Sequence, residues 1–414
     1  MAWLKFSADT IFTGTDLLSN DKVLIISENG VIENIVDRKD AGDDIKVHQG
    51  ILSPGFINCH CHLELSHMRG LIPEKTGLID FVFKVVTQRH FAEEEILDAI
   101  TKAEDEMLAN GIVAVGDICN NTLTLAQKLQ QRLAYYNFIE VSGWLPEIAE
   151  TRFARSKGFY EEFVNGKLSI GNKAKVTNNK QQATNNHQPP ANNALVPHAP
   201  YSVSNELWKF MQPYFGGKSI TIHNQETSFE DELFEKGSGD FLRMYQMMKL
   251  DNSFFKPTSK SSLQSYYNKL TEAENIILVH NTYTKEEDIV FVNRQASAMN
   301  ESNRQLQTYF CLCINANLYI EDKVPPVDVL VKNNCNIVLG TDSLASNWHL
   351  DLLSEMKNIQ KHFPQVTHEQ LLQWATLNGA KALQMDNVLG SFEKSKMPGV
   401  ICIASDFNKV ERLI

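Results

Sequence analysis

His60-Cys61-His62 follows directly on an apolar run at 55–59. Residues i and i+2 of a strand face the same way, so two imidazoles project together from the strand's C-terminal end as a bidentate metal platform. Alone, a His-x-His is a weak signal. Three further apolar runs end in the same manner, at His223, at His280 and at Asp342. Each of these singly is more often a satisfied polar residue at a strand end. Four strand ends carrying His or Asp together point to imidazoles and a carboxylate around a catalytic Zn²⁺ or Fe²⁺, with one position kept for water. Glu226 stands three residues beyond His223, where a short turn brings its carboxylate back over the metal. One such carboxylate takes a proton from the activated water and passes it to a leaving group. Cys59 and Cys61 face away from the histidine pair and are read as small buried residues, not ligands.

The elements that must position these side chains are legible as a rhythm. Short apolar runs recur at 55–59, 112–115, 138–141, 195–197, 219–222, 276–279, 309–312 and 337–339, and helical patterning separates them, as at 92–110 and 125–134. Eight strand–helix alternations with continuously apolar strands predict a parallel sheet closed into a (β/α)8 barrel, an α/β fold whose chemistry sits at the C-terminal rim of the strands. An open doubly wound sheet is the competing architecture. Before the barrel, 23–27 and 31–36 flank Glu28-Asn29-Gly30 and read as a β-hairpin. After it, 399–404 returns to strand character. First and last segments are expected to pair as a small β-sandwich domain, 1–52 plus 392–414, beside a barrel at 53–391. Residues 171–193 hold seven Asn, three Gln and two adjacent Pro. Such a stretch buries too little apolar surface to offset its ordering entropy and reads as a polar low-complexity insert, disordered or mobile.

Composition narrows the partners. The 414 residues carry a formal charge of −11, which argues against a nucleic-acid backbone or an anionic membrane as the main partner. No run of about 18 apolar residues is present to span a bilayer, and the first residues lack a signal-peptide pattern. Seven cysteines, an odd number without a small-domain framework, fit a reducing cytoplasm. The expectation is a cytoplasmic enzyme acting on a small molecule, compatible with a homodimer.

Pro54-Gly-Phe-Ile-Asn-Cys-His-Cys-His62 resembles the opening motif of the amidohydrolase superfamily. More narrowly, it is similar to the branch of cytosine and guanine deaminases, adenosylhomocysteine/methylthioadenosine deaminases and triazine chlorohydrolases. The resemblance runs through Met68-Arg-Gly70, Val196-Pro-His-Ala-Pro200, His223-Asn-Gln-Glu226, His280, Cys313-Ile-Asn-Ala-Asn317 and Leu339-Gly-Thr-Asp-Ser343, and on to Gly390-Ser-Phe-Glu393. It implies that His60, His62, His223 and Asp342 bind one divalent metal, Zn²⁺ ahead of Fe²⁺. Glu226 would shuttle the proton, His280 would contact the activated water or the developing tetrahedral oxygen, and Asp342 would help to deprotonate the water. His198 matches the position that touches the substrate's ring or leaving group. Residues 194–204 contain no Lys, so the carboxylated lysine of binuclear relatives is missing and one metal is implied. Two departures, Cys313-Ile314 in place of Cys-Pro and Lys396-Met-Pro-Gly399, touch no implied ligand.

The activity implied is hydrolytic deamination of an aminated N-heterocycle by metal-hydroxide attack, with release of ammonia. Ring-amide hydrolysis or chlorohydrolase-like activity is the nearest alternative, and a non-catalytic structural relative the alternative of another class. Leu63-Glu-Leu-Ser66 is similar to aminodeoxyfutalosine deaminase-type members, and Glu64 is a candidate for a sugar hydroxyl. Arg152 and Arg155 form a candidate bidentate clamp for a substrate carboxylate, and Glu140, ending the third strand, a candidate support for the site. A nucleoside-like substrate with an acidic tail is expected.

Overall fold

A computed structural model describes residues 3–166, 192–301 and 305–414. Eight parallel strands form the barrel: Phe56–Cys61, Ile112–Cys119, Ala134–Val141, Asn192–Pro197, Ser219–Asn224, Asn275–His280, Gln307–Leu312 and Asn336–Leu339. The first four pair in sequence order, as do the last four. Backbone bonds at the rim close the two seams between these halves. Thr341 and Asp342 N–H both donate to His60 O at 3.0 Å, and His223 N–H donates to His198 O at 3.0 Å. The seams are therefore fastened by the residues singled out for chemistry. Gly340 is required at one of them, since a Cβ there would lie 2.8 Å from His60 Cβ and 2.9 Å from Cys311 Sγ.

The strand interiors are buried throughout the first, second, third, fifth and sixth strands, which explains why they read as continuous apolar runs and not as alternation. Around them lie amphipathic helices. Glu93–Ala109 begins with three glutamates, favourable at a helix N-terminus, and buries Ile96, Ile100, Ala103 and Met107 on one stripe. It matches the helix expected at 92–110. The helix expected at 125–134 is shorter: only Leu125–Lys128 is α-helical, Gln131 turns through φ 56°, and Ala134 already opens the third strand. Lys128, the last residue of that helix, points inward and pairs with Asp117 of the second strand at 2.5 Å.

The hairpin is present as Lys22–Ser27 paired antiparallel with Ile32–Asp37. Its sheet continues through Trp3–Ser7 to Ile45–Val47. A second sheet joins both ends of the chain, with Ile401–Ile403 antiparallel to Ile51–Ser53 and Val410–Arg412, Thr10–Phe12 and Leu17–Ser19 completing it. Phe6, Ile11, Leu24, Ile26, Leu52 and Phe392 pack together as a core separate from the barrel's. Most of the polar insert lies outside the described residues. Its last two positions do not: Asn192 and Asn193 begin the fourth strand, and Asn193 Oδ1 accepts from Asn137 Nδ2 at 2.9 Å. Cross-strand pairing of the amides explains why polar residues sit there. No helix among the described residues is long and apolar enough to cross a membrane.

Candidate active site

The four strand-end residues converge. His62 Nε2 lies 3.4 Å from Asp342 Oδ1 and 3.4 Å from His223 Nε2, and His60 Nε2 lies 3.5 Å from Asp342 Oδ1. His60 is fully buried with both ring nitrogens lacking a hydrogen-bond partner. His223 Nδ1 donates to His198 O at 2.7 Å, which fixes its tautomer and turns the Nε2 lone pair toward His62. Two sets, His60–His62–His223 and His60–His280–Asp342, each bring their ligand atoms within 4.8 Å of one another. Burial lowers His62 to about 3 and His223 well below its usual range, so both imidazoles are neutral at pH 7. Burial pushes the Asp342 carboxyl up, but His60, His62 and His280 outweigh it and hold the group far below the usual carboxylate range. Ser346 Oγ donates to Asp342 Oδ2 at 2.6 Å. Neutral imidazoles with inward lone pairs, an orphaned His60 and one ionised carboxylate are a donor set that fits a single divalent cation. Among the described residues, no cysteine belongs to any such cluster.

Glu226 and His280 face each other across this centre, Glu226 Oε1 3.7 Å from His280 Nε2. His280 Nδ1 donates to Asn317 Oδ1 at 2.8 Å, leaving Nε2 as the nitrogen toward the site. Burial, reinforced by the Asp342 charge, raises the Glu226 carboxyl well above its ordinary value. Gln225 sits between His223 and Glu226 with φ 43°, and His280, Asn281 and Asp342 also hold positive φ (73°, 58° and 57°). Such backbone is strained for residues with a side chain and persists only where the surroundings over-determine it. At Gln225 they do. Its side chain donates to Asp231 and Asp288 and accepts from Thr284, while its backbone N–H donates to Glu230 Oε1 at 2.9 Å.

A cavity of about 520 Å³ opens over the centre, lined by His62, His198, His223, Glu226, His280 and Asp342 at its polar end. His198 Nδ1 pairs with Ser202 Oγ at 2.7 Å, and burial lowers the ring to about 4. One apolar wall comes from Leu65, Phe81 and Val85, the other from Trp144, Tyr245 and Met248. Arg152 and Arg155 also line the cavity, as exposed residues of the helix Ala149–Asn165, and Arg155 lies over the Phe159 ring. Glu64 is not on the cavity wall. It sits in the 3-10 turn Leu63–Met68, buried behind Asn120, whose N–H donates to Glu64 Oε2 at 3.0 Å. Glu140 lines the cavity instead. Burial pushes the carboxyls of Glu64 and Glu140 up to about 7.

Three supports carried no role in the sequence reading. Asn317 and Gln225 lie inside quoted motifs, but only the fold shows what they hold. Asp117 accepts from Leu63 N–H at 2.8 Å, fixing the residue after His62, and is itself paired with buried Lys128 at 2.5 Å. Its signal was a carboxylate inside an otherwise apolar strand, which a buried chain tolerates only with a partner.

Known proteins resemble this chain in sequence and in fold. The amidohydrolase family model matches residues 51–412. A 5-methylthioadenosine/S-adenosylhomocysteine deaminase of Teredinibacter turnerae is 26% identical over 95% of this chain and 81% of its own length. The aminofutalosine deaminase of Helicobacter pylori, solved with methylthio-coformycin, superimposes with a TM-score of 0.73 at 20% identity, covering 97% of this chain and 92% of that one. An adenosine deaminase of Xanthomonas campestris with bound zinc gives a TM-score of 0.67 at 20% identity, over 97% and 84% of the two chains.

Proposed function

Because the chain belongs to the amidohydrolase family, we propose that it is a metal-dependent deaminase of a nucleoside-type substrate, removing an exocyclic amino group of the heterocycle as ammonia. The observation that carries this reading is the facing pair of Glu226 and His280 beside the convergent His60, His62, His223 and Asp342 at one end of a substrate-sized cavity. These four residues would hold one divalent ion, with Zn²⁺ preferred over Fe²⁺ for an imidazole-rich set. When bound, such an ion supplies Lewis acidity and brings the pKa of a water toward about 7.

The chain's own groups then divide the proton work. Glu226, raised by burial, gives its proton to a ring nitrogen, is reloaded with the proton that Asp342 takes from the attacking water, passes that one to the leaving amine, and regains a proton from the hydroxyl on the attacked carbon as the carbonyl forms. Asp342, kept ionised, accepts the proton of the attacking water. His280, with Nδ1 committed to Asn317, turns Nε2 to the oxygen that develops on the attacked carbon. His198 contacts the ring. Arg152 and Arg155 would meet an acidic tail at the cavity mouth, and the apolar walls a thioether or deoxy substituent. In the same reading, 1–52 with 392–414 forms the small β domain and 53–391 the barrel.

The test is ammonia release by metal-loaded protein from adenosine, 5′-deoxyadenosine, methylthioadenosine, S-adenosylhomocysteine, aminofutalosine, guanine and cytosine. Ammonia from at least one adenine nucleoside supports the reading. Ring opening or chloride release from suitable substrates, with no ammonia from any of the panel, would overturn it.

A further inference from the structure

Glu226 follows the fifth barrel strand and His280 ends the sixth. For the two to face each other over one substrate, the turns after these strands must be fixed against each other. The backbone does part of this. Asn281 N–H donates to Asn224 O at 3.0 Å, and Tyr283 N–H donates to Gln225 O at 2.9 Å. Asn224 Nδ2 adds a bond to Asn281 Oδ1 at 3.0 Å. The rest converges on one side chain, the amide of Gln225.

Thr284 Oγ1, on the turn after His280, donates to Gln225 Oε1 at 2.8 Å. At the other end of the amide, Gln225 Nε2 donates to Asp288 Oδ2 at 2.8 Å and to Asp231 Oδ1 at 3.1 Å. Asp231 belongs to the helix Ser228–Lys236, after the fifth strand, and Asp288 to the helix Glu286–Glu301, after the sixth. Both carboxylates are held in turn. Lys285 Nζ lies 2.8 Å from Asp231 Oδ2, and Gln264 Nε2 donates to Asp288 Oδ1 at 2.9 Å. Gln225, Asp231, Thr284 and Asp288 are all buried. One amide thus joins the Glu226 turn, the turn after His280 and the two helices that follow them.

The group is chemically specified. An amide offers two N–H donors and an acceptor oxygen at once. A carboxylate in its place would bring a third negative charge to Asp231 and Asp288 and no donor. A thioether of the same length would leave both carboxylates and the Thr284 hydroxyl short of a partner. Gln225 also keeps a left-handed φ of 43° directly before Glu226, a conformation that needs such anchoring. We propose that Gln225 is a positioning residue for the proton step, a clasp whose amide sets the spacing between Glu226 and His280. The metal set does not depend on it, since His223 is fixed separately, through its N–H and Nδ1, on His198 O. This inference rests on the deaminase reading, in which Glu226 and His280 act on the same substrate.

The experiment compares metal-loaded wild type with Gln225→Met on the panel substrate turned over fastest, measuring kcat per equivalent of bound metal, KM and the solvent deuterium isotope effect. A merely structural role would lower the folded, metal-loaded fraction and leave kcat per bound metal as in wild type. The clasp predicts that kcat per bound metal falls by about 10- to 100-fold, the scale of misplacing a reacting group by a fraction of an ångström to an ångström. KM should stay close to wild type, and the isotope effect should be at least as large, because the slowed step is a proton transfer. Wild-type kcat per bound metal, a raised KM with unchanged kcat, or a smaller isotope effect overturns the role of Gln225 and leaves deamination standing. If Gln225→Met does not fold, Thr284→Val decides, as it removes one bond to the amide and leaves the carboxylates their donors. It should lower kcat per bound metal by about 3- to 10-fold, one hydrogen bond's contribution, and an unchanged value overturns the clasp. Release of no ammonia from any panel compound by wild type overturns the underlying reading and this one with it.

Discussion

His280 Nδ1 donates to Asn317 Oδ1 at 2.8 Å, and Asn317 Nδ2 donates back to His280 O at 3.4 Å. This two-way contact sets both the tautomer and the direction of the ring. The proposed role of His280 needs Nε2, not Nδ1, toward the reacting carbon.

Asn317→Ala should therefore lower kcat by about 10- to 100-fold, the usual cost of removing the partner that orients a site histidine. KM should change little, because Asn317 is buried and does not line the cavity. Steady-state kinetics on the best substrate check this. Unchanged kcat would show that the ring is held from elsewhere.

Lys128 and Asp117 form a buried ion pair at 2.5 Å, with Asn137 Oδ1 2.8 Å and Cys119 Sγ 3.2 Å from the ammonium. Burial lowers the Lys128 pKa, but Asp117 and Cys119 more than offset it. Lys128→Met should destabilise the protein by about 3–5 kcal/mol, because it strands an uncompensated carboxylate beside the His62 turn. Urea denaturation measures this. The same variant should bind metal more weakly, since Asp117 fixes the turn through Leu63 N–H.

Glu355 accepts from Asn315 N–H and Asn347 Nδ2 at 3.0 Å each, yet burial pushes its carboxyl up to about 8. A folded-state pKa above the unfolded value of about 4.3 means that the folded protein holds the proton longer. Stability from this group is full below the unfolded value and is lost as pH rises toward 8. Between pH 5 and 8, metal-free wild type should lose stability relative to Glu355→Gln, measured by denaturation at each pH. A difference flat across that window would show that Glu355 is ionised throughout.

The strand-end residues of the site were legible in the sequence because they follow uninterrupted apolar runs. His60, His223, His280 and Asp342 stand out because a parallel barrel strand is buried on both faces and turns polar only at its rim. The hairpin was legible from Glu28-Asn29-Gly30 for a similarly local reason. Asn317, Asn120 and Lys128 were not, because their roles depend on contacts between distant parts of the chain or on side chains drawn inward from turns. The helix expected at 125–134 is cut short because the chain turns at Gln131 and is already extended from Ala134 to enter the third strand. Glu64 shows the reverse: its place beside the metal pair suggested a substrate contact, and the turn that follows buries it behind Asn120.

In the proposed function Glu226 moves protons beside a metal held by His60, His62, His223 and Asp342. Metal content and ammonia release, measured on the same preparations of wild type and Glu226→Gln, test it most directly. Both proteins should hold about one equivalent of metal, while turnover should fall by roughly 10²- to 10⁴-fold in the variant. Wild-type-like turnover by Glu226→Gln, or wild type that deaminates with no bound metal, would contradict it.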